Sequence, residues 1–320
     1  MNRRLLFLFL FCLSTEQSFS WGFFAHKKIN YHAVFLLPPQ MMTLYKSQID
    51  FLSEHSVDPD KRRYAMKQEG QRHYIDIDYY GKYPFKGLPR KWKDAANKFS
   101  EDTLYKYGTI PWWIQIMQTQ LTKAFKEKDQ FKILKLSADI GHYISDAHVP
   151  LHATLNHDGQ LSDQKGIHSF WESRIPELLA EKEWNFFIGK AAYLRNAPSF
   201  MWKRILESSA AADSVLRFEK ELTNEFPSDQ KYAFEKKNNN TARQHSTDFT
   251  IAYNKKLNGM VERRMQQSIY AVASFWYTCW VDAGQPDLTV LSNKEYSDKD
   301  LKEFETLINA WQKVSIVEKD

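Results

Sequence analysis

Half of the histidines in this chain cluster in one short stretch. Five of the ten lie between residues 142 and 168 of the 320-residue sequence. His142 and Asp146 are four residues apart, a spacing that places both side chains on one face of a helix, where they can bind one metal ion. His168 and Glu172 repeat this spacing. Two such pairs within a short segment indicate a metal site.

A proline separates a further histidine from the first pair. Pro150 cannot continue the hydrogen bonding of the helix that carries Asp146. The chain is therefore expected to bend there and to aim His152 independently of that helix. His152 is therefore a third histidine that can reach the predicted metal site from a different direction.

Carboxylates and a histidine also cluster upstream. Asp58 and Asp60 flank a proline, and His73, Asp76 and Asp78 alternate with apolar residues. The alternation predicts polar groups in a mostly buried segment, where unpaired carboxylates are costly and a cation partner is favourable. Capping aspartates and a hydrogen-bonded histidine explain the same residues equally well.

The first twenty residues follow the pattern of a secretory signal peptide. Arg3 and Arg4 precede a short apolar run over residues 5–13, and small residues follow at 18–20. The run is much shorter than the roughly 20 residues that span a bilayer, so a retained anchor is the weaker interpretation. Residues 1–20 are therefore expected to be removed, leaving an exported (periplasmic or secreted) protein of residues 21–320.

Cleavage at that point would make Trp21 the first residue. Its free amine, with a pKa near 8 before a metal lowers it, and its carbonyl oxygen can together chelate one ion. His26, five residues later at the start of a predicted helix, can complete that site. Taken alone, a tryptophan in this position is usually a packing residue.

Helical periodicity dominates the rest of the chain and predicts a single all-α domain with long irregular loops. The polar run Lys236 to Thr241 is predicted as a loop, and residues 55–110 as irregular structure. Cys279 has no internal disulfide partner once Cys12 is removed, so it is expected to be a small buried hydrophobe. The segments with helical spacing are 25–37, 40–54, 112–127, 130–147, 165–183, 199–222, 257–282 and 298–314.

Taken together, these motifs resemble the zinc-dependent phospholipases C and the related single-strand-specific zinc nucleases. The order, the residue types and most spacings match from Trp21 to about Glu172, and beyond that only the helical content is similar. The resemblance implies a trinuclear zinc cleft. The implied ligands, by site, are Asp58, His73, His142 and Asp146; the amine and carbonyl of Trp21 with His26 and Asp146; and His152, His168 and Glu172.

In this arrangement Asp146 bridges two ions. Asp76 matches a carboxylate that the nucleases place beside the reaction centre, and Asp60 is a rival to Asp58 as a ligand. Zinc lowers the pKa of bound water from 15.7 to about 7, so the expected reaction is attack of a zinc-bound hydroxide on phosphorus. Mixed histidine and carboxylate ligands without thiolate favour zinc. The formal net charge of +5 suits a phosphate-bearing substrate.

The sequence favours a phospholipase over a nuclease. Glu172 stands where the phospholipases have Glu and the nucleases usually have Asp, and the segment from His152 to His168 is short, as in the phospholipases. The expected partner is thus a phosphodiester: a phospholipid head group, with possible peripheral contact to membrane lipid, or single-stranded nucleic acid. No stable protein partner is predicted. Aromatic residues such as Trp112 and Trp113 can stack on bases, enclose a choline ammonium or belong to the core.

The alternative to an enzyme is a non-catalytic protein whose fold is stabilised by zinc. Structural zinc is normally bound by four ligands, many of them cysteines. The histidine and carboxylate pattern here lacks cysteine and includes one bridging carboxylate, which favours an enzyme with open coordination positions.

Overall fold

Apolar residues at helical spacing form long helices in the computed structural model, which describes residues 22–66, 68–237, 240–291 and 302. A two-stranded antiparallel hairpin accompanies them, with β1 at Tyr232–Lys237 and β2 at Asn240–His245. The described chain is therefore all-α, as the sequence predicts. The helices are α1 (Phe23–Val34), α2 (Pro39–Ser47), α3 (Ile49–Glu54), α4 (Asp58–Arg62), α5 (Trp92–Phe99), α6 (Glu101–Lys106), α7 (Ile110–Glu127), α8 (Gln130–Asp146), α9 (Ile167–Ser169), α10 (Ile175–Glu183), α11 (Ala197–Glu225), α12 (Thr247–Lys256) and α13 (Met260–Asp282).

The main hydrophobic core lies where α1, α7, α8 and α13 pack against one another. Ile29, Leu134 and Trp276 contribute fully buried side chains from three of these helices. The indole of Trp276 donates a hydrogen bond of 3.0 Å to the carbonyl of Ser137, so its polar edge is satisfied inside the core. Burial of this apolar surface, worth about 25 cal/mol per Å², provides the rigid frame for the polar residues described below.

Helix α8 has a clear beginning and end. The carboxylate of Asp129 caps its first turn by accepting a hydrogen bond of 3.1 Å from the amide of Lys132. The helix ends at Asp146, and Pro150 then opens a 3-10 turn at Pro150–Ala153 that carries His152. The predicted bend at the proline is confirmed.

A glycine allows α1 and α8 to approach closely. A Cβ atom at Gly141 would lie 2.1 Å from the side-chain oxygen of Asn30, which is closer than any real contact. The amide of Asn30 donates hydrogen bonds of 3.1 Å to the carbonyls of Leu52 and Ala138. Asn30 thus joins α1, α3 and α8 beside His142.

The segment from Ile167 to Glu183 is helical but not uniform. A π-helical turn at Phe170–Arg174 separates α9 from α10. Such turns are frequent at functional sites because the extra residue per turn redirects side chains. Glu172 lies within this turn.

The structure differs from the sequence expectation in two segments, and a third predicted segment lies almost wholly outside the described residues. The loop predicted from Lys236 to Thr241 is wrong in part, because these two residues pair across the hairpin. Phe234 on β1 is exposed, so the strand has no buried face and shows no apolar alternation that could reveal it. Residues 55–110 contain short helices and turns rather than only irregular structure. The predicted helix 298–314 lies outside the described residues except for Lys302.

Cys279 is buried on α13 and carries a free thiol, as predicted. Within the described ranges, every helix is too short or too polar to cross a bilayer. The predicted signal peptide lies outside the described residues.

Candidate metal centre

Histidine and carboxylate side chains converge at three places among the described residues. In each group the potential ligand atoms lie within 4.8 Å of one another, and every member is buried. The groups are His26, His142 and Asp146; Asp60, His73 and His142; and His152, His168 and Glu172.

Asp146 occupies the middle of the first two groups. Its Oδ1 lies 3.3 Å from Nε2 of His26, whereas its Oδ2 lies 3.2 Å from Nε2 of His142 and 3.0 Å from Nδ1 of His73. The two carboxylate oxygens therefore face different sets of imidazoles. This is the geometry that a carboxylate needs in order to bridge two cations.

Backbone carbonyls orient the histidines. The Nδ1 atom of His142 donates a hydrogen bond of 2.8 Å to the carbonyl of Ser56, and Nδ1 of His152 donates one of 2.6 Å to the carbonyl of His73. Each bond fixes the tautomer and leaves the Nε2 lone pair available to a metal. The ring of His26 stacks on that of His142 at 3.8 Å, which holds the two imidazoles side by side.

The structure brings Asp60, the rival candidate, rather than Asp58 into the group with His73 and His142. Asp60 joins His73 and His142, with its Oδ1 3.7 Å from a nitrogen of each. Asp58, two residues earlier, instead pairs with His55 at 2.6 Å and with Lys61 at 3.1 Å, and its side chain is 14% exposed against 1% for Asp60. The two aspartates flank Pro59 at the start of α4, and only the packing of α4 on α8 decides which one faces inward.

The three residues predicted for the third site lie close together. Nε2 of His168 lies 3.0 Å and Nε2 of His152 3.5 Å from Oε2 of Glu172. The π-helical turn keeps His168 and Glu172 on one face despite the change in helix type.

The third group also tests whether these residues fit a metal. Among the described residues, neither the two Nε2 atoms nor the carboxylate oxygens of Glu172 make a hydrogen bond, although all are buried. Close polar atoms that do not bond one another are costly in a protein interior. A cation bound between the two histidines and Glu172 removes that cost, because it contacts all three side chains at once.

Burial and close contact strongly affect the protonation of these groups. Burial raises the pKa of Glu172 to about 8 and also raises that of Asp60. Burial opposes the charge on His142, but the Asp146 and Asp60 carboxylates outweigh it and raise the pKa of His142 to about 9. The pKa of His26 is lowered to about 3 by burial and by His142. The buried carboxylates thus require positive charge beside them, which a proton or a divalent cation supplies.

A small cleft of about 200 Å³ opens onto the second and third groups. Asp76 forms part of its wall, and burial together with the nearby Asp78 raises the pKa of Asp76 to about 7. The cleft is lined by Arg63, His73, Tyr74, Asp76, Leu151, His152, His157 and His168.

The cationic side chain at this cleft is Arg63, which the sequence analysis did not single out. Its guanidinium lies 3.7 Å from Oδ1 of Asp60. Arg72, the neighbour of a predicted ligand, faces elsewhere and donates a hydrogen bond of 2.7 Å to Glu69. A single sequence offers no signal that distinguishes the two arginines.

A buried ion network holds α4 in place beneath the centre. The guanidinium of Arg62 lies 3.0 Å from Oδ2 of Asp139 on α8 and donates a hydrogen bond of 3.3 Å to the hydroxyl of Tyr143. The same hydroxyl donates to Glu69. Because Arg62 and Asp60 share one short helix, this anchoring also positions Asp60 against His142.

The N-terminal ligand of the predicted second site lies outside the described residues. Its neighbour Gly22 donates a backbone hydrogen bond of 3.3 Å to the carbonyl of Glu172. A Cβ atom at Gly22 would lie 2.4 Å from Oγ of Ser173, so this close approach requires glycine. The beginning of the described chain is thus attached beside the third group.

No family model matches this chain, and no curated protein matches it significantly. The geometry shows that the buried histidine and carboxylate groups can hold metal ions. These ligand types are compatible with zinc.

Proposed function

We propose that the protein is a zinc-dependent hydrolase of phosphate esters that binds three zinc ions. The observation that carries this proposal is Asp146, whose two oxygens face separate sets of imidazoles. Closely spaced metal sites are typical of enzymes that displace a leaving group at phosphorus. When bound, zinc would supply positive charge for the phosphoryl oxygens and acidify a water molecule.

The side chains of the cleft support this chemistry. Arg63 lines the cleft and provides a positive charge for an anionic phosphoryl group. Asp76 lines the same cleft, and a carboxyl group with a pKa of about 7 can accept and return a proton near neutral pH. The apolar residue Leu151 also lines the cleft.

Two substrate classes fit the proposal. Glu172 and the short segment between His152 and His168 favour a phospholipase C-like enzyme acting on a phospholipid head group, with peripheral contact to lipid. The second candidate is a single-strand-specific nuclease. It is favoured by Asp76, which matches a nuclease carboxylate and lies on the cleft wall beside His73. Both proposals place the enzyme outside the cytoplasm, after signal-peptide cleavage before Trp21.

The test uses the secreted chain that begins at Trp21, confirmed by mass spectrometry of its first residue. Hydrolysis of phosphatidylcholine and of single-stranded DNA is measured before chelation, after chelation and after zinc is restored. We expect one substrate to be cleaved, the activity to disappear with the metal, and zinc to restore it.

Two results would overturn the proposal. Full activity in protein shown by elemental analysis to be free of metal would exclude a metal-dependent reaction. Protein that contains zinc, unfolds on chelation and cleaves neither substrate would instead be a structural zinc protein.

A further inference from the structure

His73 presents a different ring nitrogen to its ligand group from the other histidines. Its Nδ1 lies 3.0 Å from Oδ2 of Asp146 and 3.7 Å from Oδ1 of Asp60. A neutral imidazole carries its proton on only one of its two nitrogens. Binding of a metal through Nδ1 therefore requires the proton of His73 to lie on Nε2. The histidines of the described groups that instead approach their carboxylates with Nε2 are His26, His142, His152 and His168.

The outward nitrogen of His73 also has a different neighbour. His142 and His152 each direct Nδ1 at a backbone carbonyl, which fixes the tautomer. Nε2 of His73 is buried and makes no hydrogen bond within the described residues. It faces Oε1 of Glu69 at a distance of 3.9 Å, which is an electrostatic contact rather than a hydrogen bond. A carboxylate thus occupies the place that a carbonyl has beside the other two rings.

The carboxylate of Glu69 is fully buried and firmly held. Its Oε2 accepts a hydrogen bond of 2.7 Å from the guanidinium of Arg72, and its Oε1 lies 3.6 Å from the guanidinium of Arg62. The hydroxyl of Tyr143 also donates to Oε1. Two cationic groups and one hydroxyl compensate the buried negative charge, so it keeps a fixed position facing His73.

A short turn sets this arrangement locally. Glu69 and His73 are four residues apart, and the 3-10 turn at Gly70–Arg72 lies between them. The amide of His73 donates a hydrogen bond of 3.3 Å to the carbonyl of Gly70, which closes the turn. The carboxylate and the imidazole therefore face each other without depending on a distant segment of the chain.

The charge of Glu69 favours one tautomer of His73. A proton on Nε2 faces the negative Oε1 and is attracted to it, whereas an Nε2 lone pair would face the same charge and be repelled. The low dielectric of the interior strengthens both effects. Asp146 acts in the opposite sense, because its Oδ2 attracts a proton on Nδ1. Glu69 thus counteracts Asp146 and leaves the Nδ1 lone pair available to a metal.

We propose that Glu69 is a positioning residue that holds His73 in its metal-binding tautomer. It acts through His73 on the ion that would lie among Asp60, His73 and His142, and it contacts neither that ion nor the substrate. The inference rests on the metal binding in the proposed function but not on hydrolysis. Outer carboxylates of this kind raise the basicity of a ligand imidazole and contribute about 10–100-fold to metal affinity.

Glu69→Gln tests this role because it keeps the shape of the side chain and removes its charge. The intact wild-type protein and the variant are loaded with zinc and titrated with a competing chelator. We expect the variant to lose one ion at a chelator concentration about tenfold or more lower than the wild type. The remaining ions should leave both proteins at the same concentration.

NMR of the histidine rings separates positioning from general support of the fold. In proton–nitrogen correlation spectra of the zinc-loaded protein, His73 is the imidazole with a metal-bound Nδ1 and a protonated Nε2. Its Nε2 proton should resonate further upfield in Glu69→Gln, because a neutral amide deshields it less than a carboxylate does. A residue that only supports the fold would leave this resonance unchanged.

Glu219→Gln is the matched control. Glu219 on α11 is also a buried carboxylate with a cationic partner, since it lies 2.8 Å from Nζ of Lys231. This variant should keep the wild-type zinc affinity and the wild-type resonance of His73. Circular dichroism establishes that each variant is folded.

A double variant covers the case in which Glu69→Gln unfolds because Arg72 loses its partner. Glu69→Gln combined with Arg72→Met removes both members of the pair, so no buried guanidinium is left uncompensated at that position. It should show the same loss of one ion and the same shift of the Nε2 proton.

The outcomes distinguish this inference from the proposed function. Unchanged zinc affinity with an unchanged His73 resonance in Glu69→Gln would overturn the inference, as would an equal loss of zinc in Glu219→Gln. Both expected changes in a zinc-binding protein that cleaves no phosphate ester would support the role of Glu69 and contradict the hydrolase. Zinc-dependent cleavage with neither change in Glu69→Gln would support the hydrolase and contradict the role of Glu69.

Discussion

The segment from Gly22 to Glu183 and the segment from Ala197 to Asp282 are both mostly helical, but among the described residues only the first brings buried histidine and carboxylate side chains together in candidate ligand groups. All members of the three ligand groups lie in the first segment, where several buried polar atoms lack hydrogen bonds within the described chain. In the second segment Arg264 is as deeply buried but donates hydrogen bonds to the carbonyls of His148 and Arg204. The first segment thus contains the candidate ligand groups, and the second, called the supporting segment below, contributes Arg264 to the chain that follows Asp146.

Side chains of the supporting segment donate hydrogen bonds to the backbone just after the end of α8. The Nε atom of Arg264 donates a hydrogen bond of 2.7 Å to the carbonyl of His148, and the hydroxyl of Ser208 donates one of 2.7 Å to the carbonyl of Ala147. Both carbonyls follow directly after Asp146. Metal binding and fold stability should therefore respond to different substitutions in this molecule.

The largest effect is expected from Asp146→Asn. The amide loses the charge that serves two ligand groups, so we expect elemental analysis to show a loss of two ions. Hydrolytic activity should fall by more than about a hundredfold, because even outer partners of metal ligands contribute about 10–100-fold.

Asp282→Asn is the matched control, since Asp282 lies in the supporting segment and accepts a hydrogen bond from the Tyr193 hydroxyl at 3.0 Å. It should keep all of its metal. Full zinc content in Asp146→Asn would refute the bridging role of this carboxylate.

An intermediate effect should separate two neighbouring aspartates within the first segment. Asp60→Asn removes a buried carboxylate from the group with His73 and His142, so one ion should bind more weakly. Asp58→Asn breaks only partly exposed pairs with His55 and Lys61, which contribute at most about 1 kcal/mol. Zinc content under competition with a chelator measures both. Equal loss in the two variants, or loss only in Asp58→Asn, would contradict the observed orientation of α4.

The smallest effect on chemistry should come from Arg264→Met in the supporting segment. The change leaves the carbonyls of His148 and Arg204 without this donor, and we expect the free energy of unfolding to fall by about 2–4 kcal/mol. Zinc content of the folded variant should be unchanged. Denaturant unfolding and elemental analysis provide the two measurements.

Arg263→Met is the control. The adjacent Arg263 is exposed, and its guanidinium donates a local hydrogen bond to the carbonyl of Asn258. It should change stability by less than about 0.5 kcal/mol. If Arg264→Met lost zinc while remaining fully stable, the division between the two segments would be wrong.

The ligand groups illustrate how far sequence reasoning reaches. His142 and Asp146, and likewise His168 and Glu172, were predictable because a spacing of four residues has a defined meaning on a helix. His152 was predictable because proline ends a helix. The Trp21 ligand, the zinc identity and the count of three ions stay predictions, since Trp21 lies outside the described residues and the ligand types are only compatible with zinc.

Other residues could not have been assigned in this way. Arg63 rather than Arg72 reaches the cleft, and Asp60 rather than Asp58 turns inward. The hairpin around Lys236 was missed because neither strand has a buried apolar face. In each case the orientation or pairing of the residues depends on contacts between segments far apart in the chain. Local periodicity in the sequence does not report such contacts.

The sequence by itself determined the all-α fold and the helical pairs of candidate ligands, because apolar spacing and i, i+4 geometry act over a single helical turn. The tertiary structure alone decided that the two oxygens of Asp146 face different imidazoles and that the rings of Trp92, Trp112 and Trp113 line one cavity. The physical reason is that both depend on how α1, α4, α7 and α8 pack. That packing is set by the whole buried core, including the close approach of Gly141 to Asn30.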